Sequence, residues 1–326
     1  MPPRNTTPSE HAYLASWGRA DSRAPRRKSD IGPNGALWIV TPRSVARVAE
    51  GGWRVYQRPA RPPKPALRRC STGSAAGCLV NSQAMELTPA FTYPAQVPVL
   101  LRQQGYAVLS PQGVAELTGC DLGELHALRP SWDDLPPDRY LKDGGRYRSR
   151  RHSCFVVEGG AVRQAPRRAH WQPVEYNALH GGMQRWFEPM QPQVVDPPAW
   201  ARLLRALGQV ASGRKGEQPW FVEAHQFRID TQGGIGRPTP EGAHRDGVDL
   251  VAVFLVGREG IKGGETRVFQ ADGPAGQRFT LTEPWSLLLL DDERVIHETT
   301  PIQPAGELGH RDTLVLTYRA GGFQGA

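Results

Sequence analysis

Short apolar stretches alternate with polar residues through the second half of the chain, and Gly, Pro or Asp separates most of them. Successive side chains of a strand point to opposite faces, so a period of two predicts β-strands. The predicted strands are residues 220–229, 249–256, 265–270, 278–282, 285–290, 295–300 and 311–319. Seven or eight short strands of this kind predict a β-sandwich or a jelly-roll barrel.

A helical pattern precedes these strands. Asp196 and Pro197 form a start signal, with Asp196 as the cap and Pro197 in the first turn. The apolar residues that follow at helical spacing are Trp200, Leu203, Leu204, Leu207 and Val210. Two shorter helices are predicted at 94–104 and 111–117, around a strand at 106–110. The predicted fold class is α+β, with a jelly-roll core (a double-stranded β-helix, cupin-like) and flanking helices.

Residues 1–84 have a different composition from the remainder. They contain 14 Lys and Arg but only 4 Asp and Glu, whereas residues 85–326 contain 26 and 28. Pro and Arg are frequent, and only 36–40 has the pattern of a strand. Low apolar density predicts a mostly disordered basic extension before a folded domain at 85–326. Three interpretations remain open: a dispensable tail, an upstream extension before a start at Met85, or an arm for nucleic acid or another anionic surface.

Few classes of protein are excluded by composition alone. The chain has 4 Cys and no C-x-x-C pair, which argues against a disulfide framework and a thiolate zinc site. No apolar run has membrane-spanning length. A cytoplasmic location is expected from the few cysteines. Since residues 85–326 are almost neutral, nucleic-acid binding is expected at most through residues 1–84.

The stretch Glu241–Gly247, with the sequence EGAHRDG, contains His244 and Asp246 two residues apart. On an extended strand both side chains would lie on one face, where they can ligate one metal ion. His297, several predicted strands later, is the candidate third ligand. Two imidazoles and a carboxylate form the arrangement of non-haem Fe(II) oxygenases. His225 and His310 compete for this role, although a lone histidine is more often structural.

Arg311 begins the last predicted strand, and Thr313 lies on the same face. A guanidinium there can bind a carboxylate through two parallel hydrogen bonds. The alternative is an exposed arginine paired with Asp312 or Glu307. The order of His244, Asp246, His297 and Arg311 favours the first interpretation.

This ordered series resembles the Fe(II)/2-oxoglutarate-dependent dioxygenases. The motifs PEGAHRDG (240–247), GGET (263–266), LLDDERVIH (289–297) and RDTLVLT (311–317) resemble a small bacterial branch that includes the L-isoleucine hydroxylases. The motifs YLKDGGRYR (140–148) and YNALHGG (176–182) fit the same branch. The resemblance covers residues 85–326.

The resemblance implies three cofactors or co-substrates: Fe(II), 2-oxoglutarate and O2. His244, Asp246 and His297 would hold the iron, and Arg311 with Thr313 would bind the far carboxylate of 2-oxoglutarate. The implied reaction is hydroxylation of an unactivated C–H bond, with release of succinate and CO2. A halogenase of this superfamily would have no carboxylate at position 246, so Asp246 favours hydroxylation or another oxidation, such as desaturation.

The substrate implied by the resemblance is a small molecule, a free L-amino acid. The candidate contacts for it are Arg228, Gln226, Arg146 and Arg148. The arginines at 146–151 also fit a solvated, salt-bridged strand face. Two other functions remain open: a non-catalytic jelly-roll protein that binds metal, and an oxygenase acting on peptides or ribosomal proteins.

Overall fold

The computed structural model describes residues 87–177 and 179–325, and also the backbone of four strands nearer the N-terminus. The chain divides into two compact units, residues 1–79 and 80–326. The first contains an antiparallel meander of β1 (Lys28–Ile31), β2 (Leu37–Val40), β3 (Ser44–Ala49) and β4 (Gly52–Gln57). The strand predicted at 36–40 coincides with β2, and the other three were not predicted. The other residues of the predicted extension lie outside the described ones, so its disorder stays a prediction.

Among the described residues of the second unit there are five α-helices: α1 (Val97–Gln104), α2 (Pro111–Thr118), α3 (Leu122–His126), α4 (Pro192–Val195) and α5 (Pro198–Lys215). Ser110 caps α2 by accepting a hydrogen bond from the Gly113 amide at 3.1 Å. Asp196 is not the cap of α5 as predicted, because it closes α4 and Pro197 occupies the cap position. None of the helices in the described ranges is both long and apolar enough to cross a membrane.

Twelve strands lie in the described part of the second unit. They are β5 (Tyr106–Leu109), β6 (Arg148–Glu158), β7 (Ala161–Gln164), β8 (Trp220–Asp230), β9 (Leu250–Glu259), β10 (Ile261–Gly263), β11 (Thr266–Gln270), β12 (Gly276–Phe279), β13 (Leu287–Asp291), β14 (Val295–Thr299), β15 (Ile302–Pro304) and β16 (His310–Ala320). The large sheet has the order β5-β13-β9-β16-β8-β6-β7, and every neighbouring pair in it is antiparallel. Two smaller sheets, β12-β11-β14 and β10-β15, complete the barrel.

The two faces of the large sheet pack against different partners. On one face Leu314 and Leu316 of β16 join a core that includes Trp200 and Leu203 of α5. On the other face Val251 and Leu255 of β9 pack with Val268 of β11, Phe279 of β12 and Val295 of β14. The predicted fold, a jelly-roll core with flanking helices, is therefore confirmed. The inner face becomes polar beyond this second core, and the candidate site lies there.

Candidate metal and co-substrate site

One backbone bridge brings the two predicted histidine ligands together. The His244 amide donates to the His297 carbonyl at 3.0 Å, and the His297 amide donates to the His244 carbonyl at 3.0 Å. Residues paired in this way place their side chains on the same face. The histidine–aspartate pair was predicted on a regular strand, but only His244 is bridged and Asp246 lies in the loop before β9. The bridge therefore sets the position of His244 beside His297, which a regular strand was expected to set.

The three predicted ligands converge on one point. His244 Nε2 lies 3.8 Å from Asp246 Oδ1, and His297 Nε2 lies 3.8 Å from Asp246 Oδ2. All three ligand atoms lie within 4.8 Å of one another. His244 Nδ1 lies 3.0 Å from the Gly242 carbonyl, which requires the proton on Nδ1 and leaves the Nε2 lone pair for a metal. His297 Nδ1 is buried and has no hydrogen bond with any described residue, so its strand alone orients that ring.

The electrostatics of this group favour a bound cation. Burial raises the pKa of Asp246, and the nearby Glu241 carboxylate raises it further. Burial opposes protonation of His244, but the charges of Glu241 and Asp246 outweigh it and raise its pKa. Burial lowers the pKa of His297, as does the neighbouring His244. Buried carboxylates without a cation are costly, and a divalent ion between these donors would offset that cost. Two imidazoles and one carboxylate suit Fe(II).

Asp292 holds the loop that carries Asp246. Its carboxylate accepts three backbone hydrogen bonds, from Asp246 at 3.0 Å, Gly247 at 2.7 Å and Val248 at 3.1 Å. Gly247 has a φ of 76°, and a Cβ atom there would lie 2.4 Å from the Tyr176 ring. Burial and the charge of Asp246 raise the pKa of Asp292 to about 7. Asp292 thus fixes the backbone of a candidate ligand through hydrogen bonds alone.

Asp292→Asn is expected to weaken metal binding by about 10–100-fold, the range typical for groups that orient metal ligands. The amide keeps the shape of the side chain, but one of its two acceptor atoms becomes a donor facing the loop amides. The measurement is a competition titration with Co(II) or Zn(II) on protein whose circular dichroism is unchanged. Asp272→Asn, at an exposed position, is the matched control. Equal affinities for the two variants would contradict this role.

A buried amide holds the Asp246 side chain itself. Gln172 Nε2 donates to Asp246 Oδ1 at 3.1 Å. Gln172 Oε1 accepts from Arg185 Nη2 at 2.9 Å and from Asn177 Nδ2 at 3.1 Å. The acceptor contacts fix the orientation of the amide, so that only its donor faces Asp246. Arg185, which is 2% exposed and also lines the cavity around these ligands, thus acts on Asp246 through Gln172.

Arg311 and Thr313 line the same cavity as the three candidate ligands, as predicted. Both are buried on β16, which lies between β8 and β9 in the large sheet. Arg311 forms no ion pair with any described residue, because the neighbouring Asp312 is bound by Arg228. Burial and the charge of Arg258 lower the pKa of Arg311 to about 10. A buried guanidinium without a counter-ion is a natural site for a carboxylate.

Arg148 is the one predicted substrate contact that lines this cavity. It lies on β6 and is 5% exposed, with Nε bound to Asp138 at 2.8 Å. Its Nη2 atom is buried and has no hydrogen bond within the described part of the chain. Arg150, two residues along β6, is also buried and packs between the rings of Phe187 and Phe227 at 3.9 and 4.4 Å. The interpretation of residues 146–151 as a solvated face is therefore wrong for these two arginines.

The other predicted substrate contacts do not reach the cavity. Gln226 and Arg228 share one face of β8, and that face is turned toward the helices. Gln226 donates to Ser131 Oγ at 2.8 Å, and Arg228 pairs with Asp312 at 2.7 Å. Arg146 is exposed on the loop before β6. The opposite face of β8 lines the cavity with Glu223, His225 and Phe227.

The two competing histidines have other partners. His310 Nε2 lies 3.4 Å from Asp312 Oδ2, and His310 does not line the cavity. His225 belongs to a second buried group with His152, His170 and Glu223. Glu223 Oε2 lies 2.6 Å from His170 Nδ1 and 2.9 Å from His152 Nε2. These are hydrogen-bond lengths, shorter than the roughly 3.3 Å that separates ligand atoms in a tetrahedral zinc site.

That second group is a neutral-histidine network. Burial lowers the pKa of His170 to about 3 despite the Glu223 charge, and burial also lowers the pKa of His152 and His225. Arg150 Nη2 lies 2.7 Å from His225 Nδ1, so this nitrogen accepts the bond. The network braces β6 against β8 beside the cavity.

Three residues of the site had no role in the sequence interpretation: Glu241, Asp292 and Gln172. Glu241 begins the stretch that contains His244 and Asp246, and a second acid beside them was the available signal. Asp292 lies in the motif at 289–297, from which only His297 was given a role. Gln172 lies in an irregular segment with no periodicity, and no sequence signal connects it with Asp246.

Comparisons with known proteins agree with this geometry. The family model described as 2OG-Fe dioxygenase matches residues 129–317. A crystal structure of a bsmA homolog from Methylobium petroleophilum PM1 is 53% identical, with a TM-score of 0.69, and the match covers 73% of this chain and 97% of that chain. The structure of IDO from Bacillus thuringiensis is similar in fold, with 16% identity, a TM-score of 0.58 and coverage of 72% and 99%. The chain has no significant match among curated proteins.

The chain therefore belongs to the 2OG-Fe dioxygenase family. It is a 2-oxoglutarate-dependent dioxygenase, and its cofactors and co-substrates are Fe(II), 2-oxoglutarate and O2.

Proposed function

We propose that this protein hydroxylates an unactivated C–H bond of a free L-amino acid, with release of succinate and CO2. His244, Asp246 and His297 hold Fe(II), while Arg311 and Thr313 bind the far carboxylate of 2-oxoglutarate. The observation that carries this proposal is the convergence of three ligand atoms within 4.8 Å in the cavity that Arg311 also lines. When bound, the iron and 2-oxoglutarate supply the oxidising chemistry, and the chain supplies position and shelter from water.

The residues of the site have separate roles in binding the metal and the co-substrate. Asp246 supplies the negative charge that partly neutralises a divalent ion; Gln172 holds its Oδ1 atom and Asp292 holds its backbone amide. Arg311 positions the co-substrate from β16. Because a carboxylate occupies position 246, all three protein positions of the metal site are filled. We therefore assign hydroxylation rather than halogenation.

Arg148 is the proposed partner of the substrate carboxylate. Its buried Nη2 atom lacks a hydrogen bond among the described residues, and an incoming carboxylate oxygen would satisfy it. The cavity is small, about 130 Å³, which fits a compact substrate better than a peptide segment. Both observations support a free amino acid over a peptidyl substrate.

The proposal is tested by succinate release across the twenty free L-amino acids, in the presence of Fe(II), 2-oxoglutarate and O2. We expect one or a few amino acids to raise succinate formation above the rate without substrate, with stoichiometric hydroxylated product. Under anaerobic conditions, Fe(II) and 2-oxoglutarate together should give a weak visible charge-transfer band. Bound iron with no band and no succinate would identify a non-catalytic metal-binding protein. Succinate release only with a peptide or ribosomal protein would refute the free amino acid.

A further inference from the structure

Glu241 is a buried carboxylate in the cavity that the proposed chemistry does not use. It lies three residues before His244, and its side chain is only 12% exposed. Oε1 lies 3.6 Å from His244 Nε2, and Oε2 is buried without a hydrogen bond to any described residue. The convergent set of ligand atoms consists of His244, Asp246 and His297 and does not include Glu241.

The contact with His244 cannot persist as an ion pair when metal is bound. Metal ligation takes the Nε2 lone pair, so this imidazole is then neutral and has no proton on Nε2 for Glu241. Within the described residues His244 is the one close ion-pair partner of Glu241, while His180 and Arg185 act on it from farther away. A metal bound at His244 would itself supply positive charge on the Oε1 side of Glu241. Oε2 is buried without a hydrogen bond to any described residue, so it still requires a donor, and an ammonium group in the cavity would supply one.

Opposite charges enter the cavity from different elements. Arg148 reaches it from β6, whereas Glu241 reaches it from the loop that carries His244. Both act on His180, where burial and the charge of Arg148 lower the pKa while the charge of Glu241 opposes them. One small molecule in this cavity can therefore meet both charges. A molecule with a carboxylate and an ammonium group would neutralise both.

We infer that Glu241 binds the cationic amino group of the substrate, so that the site selects small zwitterions. This inference rests on the proposed function and adds the residue that recognises the nitrogen. It distinguishes an α-amino acid from a carboxylic acid of the same skeleton. Glu241 would then be a specificity residue next to the metal and not a fourth metal ligand.

The experiment compares three compounds that share the carbon skeleton of a given L-amino acid. They are the amino acid itself, the carboxylic acid without the amino group, and the amine without the carboxylate. Dissociation constants are measured by calorimetry on the anaerobic complex with Fe(II) and 2-oxoglutarate, and succinate release is measured in air. Wild-type protein should bind the amino acid much more tightly than the acid that lacks nitrogen. Glu241→Gln should reduce this preference by about 30-fold or more. Glu283→Gln, at an exposed position, should leave it unchanged.

Iron binding separates this inference from the proposed function. Glu241→Gln should retain the visible band of the anaerobic iron complex with 2-oxoglutarate, because Glu241 is not among the convergent ligand atoms. Loss of iron affinity with unchanged preference for the amino group would make Glu241 a metal ligand and overturn the inference. The inference would also be overturned if the protein bound or oxidised only compounds that lack a cationic nitrogen. The same holds if no compound with an amino group were bound or oxidised. Turnover of amines that lack the carboxylate would support Glu241 and refute the free amino acid.

Discussion

Asp246→Ala should abolish turnover and lower the affinity for Fe(II) by more than about 100-fold, with the fold intact. Replacement of groups that only orient ligands costs about 10–100-fold, so loss of the one proposed anionic ligand should exceed that range. His244 and His297 would remain bridged through their backbones, because Asp246 takes no part in that bridge. Two neutral imidazoles then face the ion without compensating charge.

Thermal unfolding measures this effect without any assay of activity. Metal that binds only the folded state raises its stability by about 2.7 kcal/mol at one hundred times the dissociation constant. Wild-type protein should show this shift with Fe(II) under anaerobic conditions, whereas Asp246→Ala should show none at the same concentration. In metal-free protein the substitution removes a buried carboxylate with a raised pKa, which partly offsets the lost bond from Gln172.

Asp272→Ala is the control for this experiment, because its side chain is exposed and outside the site. It should retain both the metal-induced stabilisation and succinate release. If Asp246→Ala keeps the stabilisation while turnover is lost, Asp246 acts on the substrate and the metal has other ligands. If both properties are retained, the ordered histidine–aspartate–histidine set is not the metal site.

Strands with apolar alternation could be predicted from sequence, and strands with polar alternation could not. The stretches at 220–229, 249–256 and 311–319 correspond to β8, β9 and β16 to within a few residues. Each of them buries apolar side chains against the helices, which produces the period of two. At β6 the sequence indicated only a possible solvated strand face at 146–151, because the inward positions carry Arg148, Arg150 and His152, which are buried by pairing and not by hydrophobicity.

In the candidate site, too, some features could be predicted from the sequence and others could not. The order of His244, Asp246, His297 and Arg311 was visible in the sequence because each residue follows a recognisable turn or strand. Their convergence depends on one backbone bridge, which joins residues far apart in the sequence, and no local pattern encodes such a contact. Which face of β8 lines the cavity was likewise undecided, since alternation separates two faces without saying which is inside. This is why Gln226 and Arg228 were expected at the substrate.

Arg311→Met should raise the dissociation constant for 2-oxoglutarate by about 30-fold or more while leaving iron affinity unchanged. Removal of one member of a buried charge pair costs about 2–5 kcal/mol, because the partner stays desolvated and unpaired. The methionine keeps much of the packing volume beside Ile302 and Gly264 and removes only the donors. The 2-oxoglutarate dissociation constant of Arg311→Lys should lie between those of wild type and Arg311→Met, since an ammonium keeps the charge but loses the two parallel hydrogen bonds.

The matched control for Arg311 lies at the other end of the same strand. Arg319 shares the strand face of Arg311 but donates to the Gly322 carbonyl outside the cavity. Arg319→Met should leave the 2-oxoglutarate requirement unchanged. Iron affinity, measured by the metal-induced thermal shift, separates co-substrate binding from damage to the metal site. Loss of iron in Arg311→Met would mean that β16 supports the metal ligands instead of the co-substrate. Equal 2-oxoglutarate binding by Arg311→Met and wild type would place the carboxylate on another arginine of the cavity, and the candidates there are Arg148, Arg150 and Arg185.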